Sequence, residues 1–404
     1  MSVTGSPAAV PAEARGQFLG SKREYWHILS RDALLLIATL GLYRFWVSTE
    51  VRQYLWSHTE LGGEQLEYTG DALELLVGFL VLLAVLGPLV AVFAVLSLLT
   101  GNYAVATLAS YAPVILVVPL SVLALYQARR YRVNHTIFRG LRFHQTGSAW
   151  IYALRMSLWL IVNFFTFGLS YPWARASLER YKMRHTFYGD VQGSFVGSGW
   201  PLFRRGFIPW LILLGPVVVM FFMLGANAEG ATEAQVQELA GAFLDRSGIW
   251  LLVAGAVIYP IFHATVLRWR IAGMRFGTLG FSSGFSTWRV CKAYYKFFAL
   301  LVLIGIVATI AAVAVQRKIV PAWPLGTSVV IEFIGVMLLV IAYFVVATMG
   351  TFAYQGTVRF DVWRLIVESS TLRGLDQIDR AKVHAGHAAR HAGRIGAALN
   401  LGGF

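Results

Sequence analysis

Two stretches of the chain follow one pattern. Thr39 to Gly70 reads TLGLYRFWVSTEVRQYLWSHTELGGEQLEYTG, and Thr166 to Gly197 reads TFGLSYPWARASLERYKMRHTFYGDVQGSFVG. In each, an apolar segment ends in a Gly-Leu-aromatic break and a basic, aromatic helix end follows. His-Thr comes next, then a Gly-punctuated pair of short extended pieces. Trp46 aligns with Trp173, Tyr54 with Tyr181, and His58-Thr59 with His185-Thr186. The second half recurs where Arg130-Tyr131-Arg132 leads to His135-Thr136, and again where Arg268-Trp269-Arg270 leads to Gly277 and Phe281. A decayed copy sits at Val362-Trp363-Arg364. Self-similarity on this scale predicts a fold assembled from duplicated units, here two full copies and a partial third.

The segments between the copies are those of a membrane protein. The chain is 57% hydrophobic and 13% charged, where a soluble domain carries about 25% charged residues. Its apolar runs reach the roughly 20 residues that cross a bilayer. The net charge of +14 does not point to nucleic acid, because Arg and Lys cluster at the ends of the apolar runs. Cytoplasmic retention and anionic phospholipid headgroups account for them there. The single cysteine, Cys291, permits no intrachain disulfide, and residues 1–24 carry no apolar core of a signal peptide.

Leu73–Leu99, Tyr103–Tyr126, Gly206–Ala226, Ile249–Leu267, Phe297–Val315 and Ser328–Phe352 read as spans. Two further apolar runs, Ala33–Val47 and Trp150–Trp173, are short or broken. If both crossed, the arginine-rich loops around residues 129–142 and 175–205 would face opposite sides, against the retention of such loops in the cytoplasm. The expected fold is therefore an all-α polytopic membrane protein with six spanning helices in three hairpins. Two re-entrant or interfacial apolar helices and short cytoplasmic β-hairpin pieces complete it, and eight crossings are the alternative. The parts are a flexible N-terminus (1–17), a first membrane repeat (18–147), a second (148–293), a partial third (294–375) and a cytoplasmic tail (376–404).

The TLGLYRFW and TFGLSYPWAR segments, the HTIFRGLRF and HTFYGDVQGSF pieces and the Gly-Gly-Phe ending resemble the YjgN family of bacterial inner-membrane proteins, from about Phe18 to Phe404. The resemblance implies a multi-pass inner-membrane protein. It implies no reaction, substrate or cofactor, since that family's function is unknown.

Candidate residues follow from membrane physics. Glu332, in the opening of a span, is an ionisable group at membrane depth and so a candidate for ion coupling, or else the partner of Arg317 or Lys318 near the interface. His263 titrates near neutrality or simply bonds between helices. Arg155 and Asn163 lie in the broken segment, where Arg155 could instead snorkel to the interface. Arg129, Arg130, Arg132, Arg180, Lys182, Arg184, Arg268 and Arg270 are expected to contact lipid headgroups. His58, His135 and His185 occupy equivalent helix ends, where bonding to last-turn carbonyls explains them without a metal. His384, His387 and His391 share a helical face, a weak metal signal. No catalytic triad, phosphate loop or cysteine metal motif is present in the sequence, and no cofactor or enzyme activity is expected. The function expected is a transporter or channel for a small solute. The alternative is an envelope scaffold or sensor that uses its basic cytoplasmic face. Both termini are expected in the cytoplasm, and alignment of Glu332, His263, Asn163 and Asn102 along one cavity would favour transport.

Overall fold

A computed structural model describes residues 13–374, apart from 100–102, 229–231 and 319–328. Its framework is ten short strands, each pair of neighbours antiparallel. They are β1 (Glu13–Phe18), β2 (Thr59–Leu61), β3 (Glu64–Tyr68), β4 (Thr136–Phe138), β5 (Leu141–Gln145), β6 (Thr186–Tyr188), β7 (Val191–Phe195), β8 (Met274–Phe276), β9 (Leu279–Ser283) and β10 (Ser370–Arg373). Each pairs with its neighbours in chain order, and β1 pairs with β10 through Ala14 opposite Leu372, so the sheet closes into a barrel.

This corrects the all-α expectation. The Gly-punctuated pieces do not stay as separate hairpins but join into one closed sheet, with β1 starting at Glu13 inside the stretch read as a flexible N-terminus. The physical reason is edge satisfaction. A hairpin of three- and five-residue strands leaves open edges with unpaired N–H and C=O groups, and only closure removes every edge. That closure depends on partners hundreds of residues apart, which local periodicity does not show. The two-residue turns are legible, because the Gly62-Gly63 and Arg139-Gly140 pairs take the positive φ angles that such turns demand.

Helices fill the intervals between paired strands. α1 (Lys22–Ala38) and α2 (Arg44–Ser57) join β1 to β2, while α3 (Ala72–Leu99) and α4 (Tyr103–Asn134) join β3 to β4. α5 (Ala149–Phe165) and α6 (Tyr171–Arg184) join β5 to β6, and α7 (Gly199–Ala228) and α8 (Glu233–Gly273) join β7 to β8. Between β9 and β10 run α9 (Thr287–Lys318), α10 (Val329–Tyr354) and α11 (Phe360–Ser369), with a π-helical turn at Gln355–Arg359 joining the last two. Every helical hairpin thus leaves the barrel and returns to it.

Five described helices are long and apolar enough to cross a membrane by length and composition: Ala72–Leu99, Gly199–Met223, Ala240–Gly273, Thr287–Ala314 and Gly335–Ser369. Their sides carry exposed Leu, Val and Phe, such as Leu83, Phe222 and Val302, the surface that an acyl-chain environment covers. The sixth expected span falls within α4, a continuous helix of 32 residues. α5 has 17 residues, about 25 Å of helix at 1.5 Å per residue, less than the roughly 30 Å hydrocarbon core.

The two Gly-Leu-aromatic breaks are one structure used twice. Leu40 and Gly41 adopt φ of 49° and 94°, and Phe167 and Gly168 adopt 50° and 83°. In both, the glycine N–H donates back into the preceding helix, to Leu36 O at 2.8 Å and to Asn163 O at 2.7 Å. The preceding threonine hydroxyl, Thr39 or Thr166, donates to the carbonyl four residues earlier and accepts from the backbone N–H four residues later. This is a left-handed helix stop from which the chain turns directly into the next helix.

Candidate functional site

The helices that run toward the barrel, α2, α4, α6, α8 and α11, bring their basic ends together beneath it. Arg132, Lys182 and Arg270 each stand four residues, one helical turn, before the first residue of a strand: Thr136, Thr186 and Met274. Arg52 and Arg129 stand a turn further down α2 and α4, and the π-helical turn ends on Arg359. A π-turn displaces side chains from the α-helical register and recurs at functional sites.

These cations form one electrostatic group. Arg132 shares its surroundings with Arg52, Arg129 and Arg359; burial first, then the charges of Arg52 and Arg129, push its guanidinium down. Arg129 is likewise pushed down by burial, against the pull of Glu179 and with the repulsion of Arg270. At the centre stands one buried carboxylate. Glu179 Oε1 lies 2.6 Å from Lys182 Nζ and 3.8 Å from Arg270 Nε. Burial alone would raise the Glu179 carboxyl, but the charges of Lys182, Arg270 and Arg129 outweigh it and hold the group at about 2. For Lys182 burial prevails over the Glu179 charge and brings the ammonium down to about 8. Of the described acidic residues only Asp32 and Glu179 are buried, and Asp32 Oδ1 accepts from Arg31 at 2.9 Å. Three of the cations, Lys182, Arg270 and Arg129, thus set the charge around the Glu179 carboxylate.

Hydroxyl and amide groups hold the cations in place. Arg52 donates to Tyr68 Oη at 3.2 Å, Arg129 to Thr186 Oγ1 at 3.4 Å and Arg359 to Gln355 Oε1 at 2.9 Å.

Above this layer the barrel encloses an apolar lumen of about 260 Å³, lined among others by Leu61, Leu66, Phe143, Phe281, Leu279 and Leu372. Trp56 of α2 and Trp363 of α11 form its floor, their rings stacked with centroids 4.7 Å apart. Their indole N–H groups donate to Thr136 Oγ1 at 3.2 Å and to Thr59 Oγ1 at 3.0 Å. Arg52 and Arg359 each lie four residues, one turn, below these tryptophans.

Of the residues expected at lipid headgroups, Arg180 and Arg184 are exposed and Arg129, Arg130, Arg132, Lys182, Arg268 and Arg270 are half-buried, with Lys182 and Arg270 facing Glu179. Arg268 donates to Thr287 Oγ1 at 2.6 Å. Arg52, Glu179 and Arg359 were not expected at a site. For the first two a signal existed, since Arg52, Arg129 and Glu179 each stand six residues ahead of their His-Thr histidine.

Of the expected intramembrane polar residues, Asn163, Arg155 and His263 are described, and each contacts a different neighbour. Asn163 donates to Trp159 O and accepts from Ser170 Oγ at 3.0 Å, pinning the turn after α5. Arg155 is exposed and lies over the Tyr181 ring at 4.8 Å. His263 Nδ1 lies 3.0 Å from Tyr294 Oη, between α8 and α9. Glu332 is in the first turn of α10, its side chain outside the described residues, as are Asn102, His384, His387 and His391. His58, His135 and His185 each direct Nδ1–H to a tyrosine carbonyl four residues earlier, at 2.8 Å in all three.

Residues 13–379 match the model of a family described as a bacterial protein of unknown function, DUF898. No curated protein and no solved structure matches the chain.

Proposed function

The chain belongs to the DUF898 family, bacterial proteins of unknown function, and from the geometry we propose that it is a membrane protein that binds an anionic solute in the cation layer beneath its barrel, as the recognition step of transport. One observation carries the reading: Arg129, Lys182 and Arg270, from three returning helices, surround the buried carboxylate Glu179, and Arg129 in turn shares the surroundings of Arg132 with Arg52 and Arg359. Bidentate arginine donors suit phosphate- or carboxylate-type oxyanions. The resemblance to the YjgN family and the arginine-rich helix ends support the bacterial inner membrane, with the barrel side in the cytoplasm. The recurring strand–helical hairpin–strand arrangement supports a duplicated unit. A second reading, surface attachment to anionic headgroups as a scaffold or sensor, is favoured by the exposed Arg180 and Arg184.

The test uses the full chain in phosphatidylcholine nanodiscs and proteoliposomes. Sulfate and inorganic phosphate should raise the melting temperature in the manner of a bound ligand, and labelled phosphate should cross proteoliposomes. Arg132→Gln and Arg359→Gln should each remove most of both effects, while Arg180→Gln/Arg184→Gln should not. Binding without flux would exclude transport; no binding in the intact chain would sink the proposal.

A further inference from the structure

The barrel lumen is a space of its own, and none of the described cations lines it. Its wall is the inward face of the closed sheet, where cross-strand partners meet: Leu66 opposite Phe138, Phe143 opposite Tyr188 and Phe281 opposite Leu372. Side chains alternate along a strand, so Leu279 and Phe281 of β9 line the space while Gly280 between them does not. The stacked Trp56 and Trp363 rings close the floor and divide the lumen from the charged layer beneath. A closed barrel of about eight strands is just wide enough for side chains to fill or for one small ligand to enter, and the diameter grows with strand number. Here ten strands enclose about 260 Å³.

The polar groups at the edge of this space are already engaged. Trp56 Nε1 donates to Thr136 Oγ1, whose own proton goes to Arg132 O, and Trp363 Nε1 donates to Thr59 Oγ1. Tyr188 Oη donates to Phe138 O at 3.0 Å. An anion or a strongly polar guest would leave water for a wall whose donors are committed elsewhere, which is costly. An apolar guest meets no such penalty, and an apolar cavity of about 150 Å³ is enough to take up benzene. The wall also has a shape. Phe276 stands edge-on to Phe143 and to Phe281, with ring centroids 5.8 Å and 6.3 Å apart, the arrangement that aromatic rings prefer.

We infer that the lumen binds a small neutral apolar molecule, a single aromatic ring with short alkyl substituents. The site is separate from the cation layer and does not rest on the anion-binding reading.

The experiment uses the full chain in phosphatidylcholine nanodiscs, labelled with 5-fluorotryptophan and titrated with p-xylene under fluorine NMR. Trp56→Phe and Trp363→Phe assign the two floor signals. Both should shift and saturate. Trp150, Trp200 and Trp288, exposed at the starts of α5, α7 and α9, report partition of the probe into lipid and should drift without saturating. Leu279→Phe, which fills the lumen, should raise the p-xylene concentration for half the shift at least tenfold. Leu66→Phe, on β3, gives the same readout if the first variant does not fold. 4-Methylbenzoate, the same ring carrying a carboxylate, should leave the floor signals in place. Floor signals that only drift with the exposed ones, or a saturating shift that survives a filled lumen, would overturn the inference. A shift as large with 4-methylbenzoate would overturn the neutral class of ligand.

Discussion

Glu179 sets the electrostatic balance of the molecule at the scale of single residues. Its carboxylate faces Lys182 at 2.6 Å and Arg270 at 3.8 Å, with Arg129 close enough for its charge to be felt. Removing one partner of a buried ion pair leaves an uncompensated charge and costs about 3–5 kcal/mol. Glu179→Gln should therefore lower the unfolding free energy in nanodiscs by that amount, and Glu179→Gln/Lys182→Met should recover a large part of it. A single variant as stable as the native chain would show that the cations do not depend on this carboxylate. Lys182 adds a pH dependence. Its ammonium is held at about 8, so it is charged below that pH and neutral above it. Sulfate, whose own charge is constant there, should bind more weakly as the pH rises through 8. Lys182→Arg should keep the affinity level to pH 9, and a native profile flat over that range would contradict the assignment. Four of the six cations of this layer, Arg129, Arg132, Lys182 and Arg270, were legible in the sequence as basic helix ends. Its inward direction was not, because an arginine at the end of an apolar run looks the same whether it meets lipid or a neighbouring helix. Arg359 was hidden further by the π-turn, which moves it out of the register that α-helical spacing predicts.

At the scale of elements, the repeated helix stop governs the return of each short hairpin. Gly168 holds φ of 83° and its N–H donates to Asn163 O, while Trp210 Nε1 donates to Phe167 O at 2.8 Å from the adjacent α7. A side chain in the left-handed region costs about 1–2 kcal/mol, and asparagine bears it better than alanine. Gly168→Ala should destabilise by that amount in thermal unfolding, with Gly168→Asn losing less. Equal losses, or none, would mean that contacts with α7 and not the backbone angle fix the turn. The Gly-Leu-aromatic motif announced both turns correctly because a glycine in that position has a local physical reason. The barrel had no such local signal. Strands as short as Thr59–Leu61 carry too few residues for alternation, and the pairing of Ala14 with Leu372 joins the two ends of the described chain. The dipeptide turns revealed the hairpins, and only long-range closure turned them into a barrel.

At the scale of the whole molecule, a single closed sheet fixes which side its connections occupy. The ten strands form one closed sheet, so they lie together and every helical hairpin begins and ends at the barrel. In the proposed reading, the arginine-rich helix ends put that side in the cytoplasm. Thr146 and Ser194 are exposed beside β5 and within β7, whereas Ala234 is exposed at the start of α8, at the far end of a long hairpin. The buried Cys291 is the chain's one cysteine and can be replaced by serine. In that background, Thr146→Cys and Ser194→Cys should react with an impermeant maleimide only after the inner membrane is opened, and Ala234→Cys should react in spheroplasts without it. If Thr146 were labelled from outside while Ser194 stayed protected, the barrel could not be closed in the membrane, and the cation layer gathered beneath it would lose the scaffold that assembles it. If both were labelled from outside, the barrel would stand but face the periplasm. An anion captured there would then be arriving rather than leaving, so the same three cysteines decide both the integrity of the fold and the direction in which its site opens.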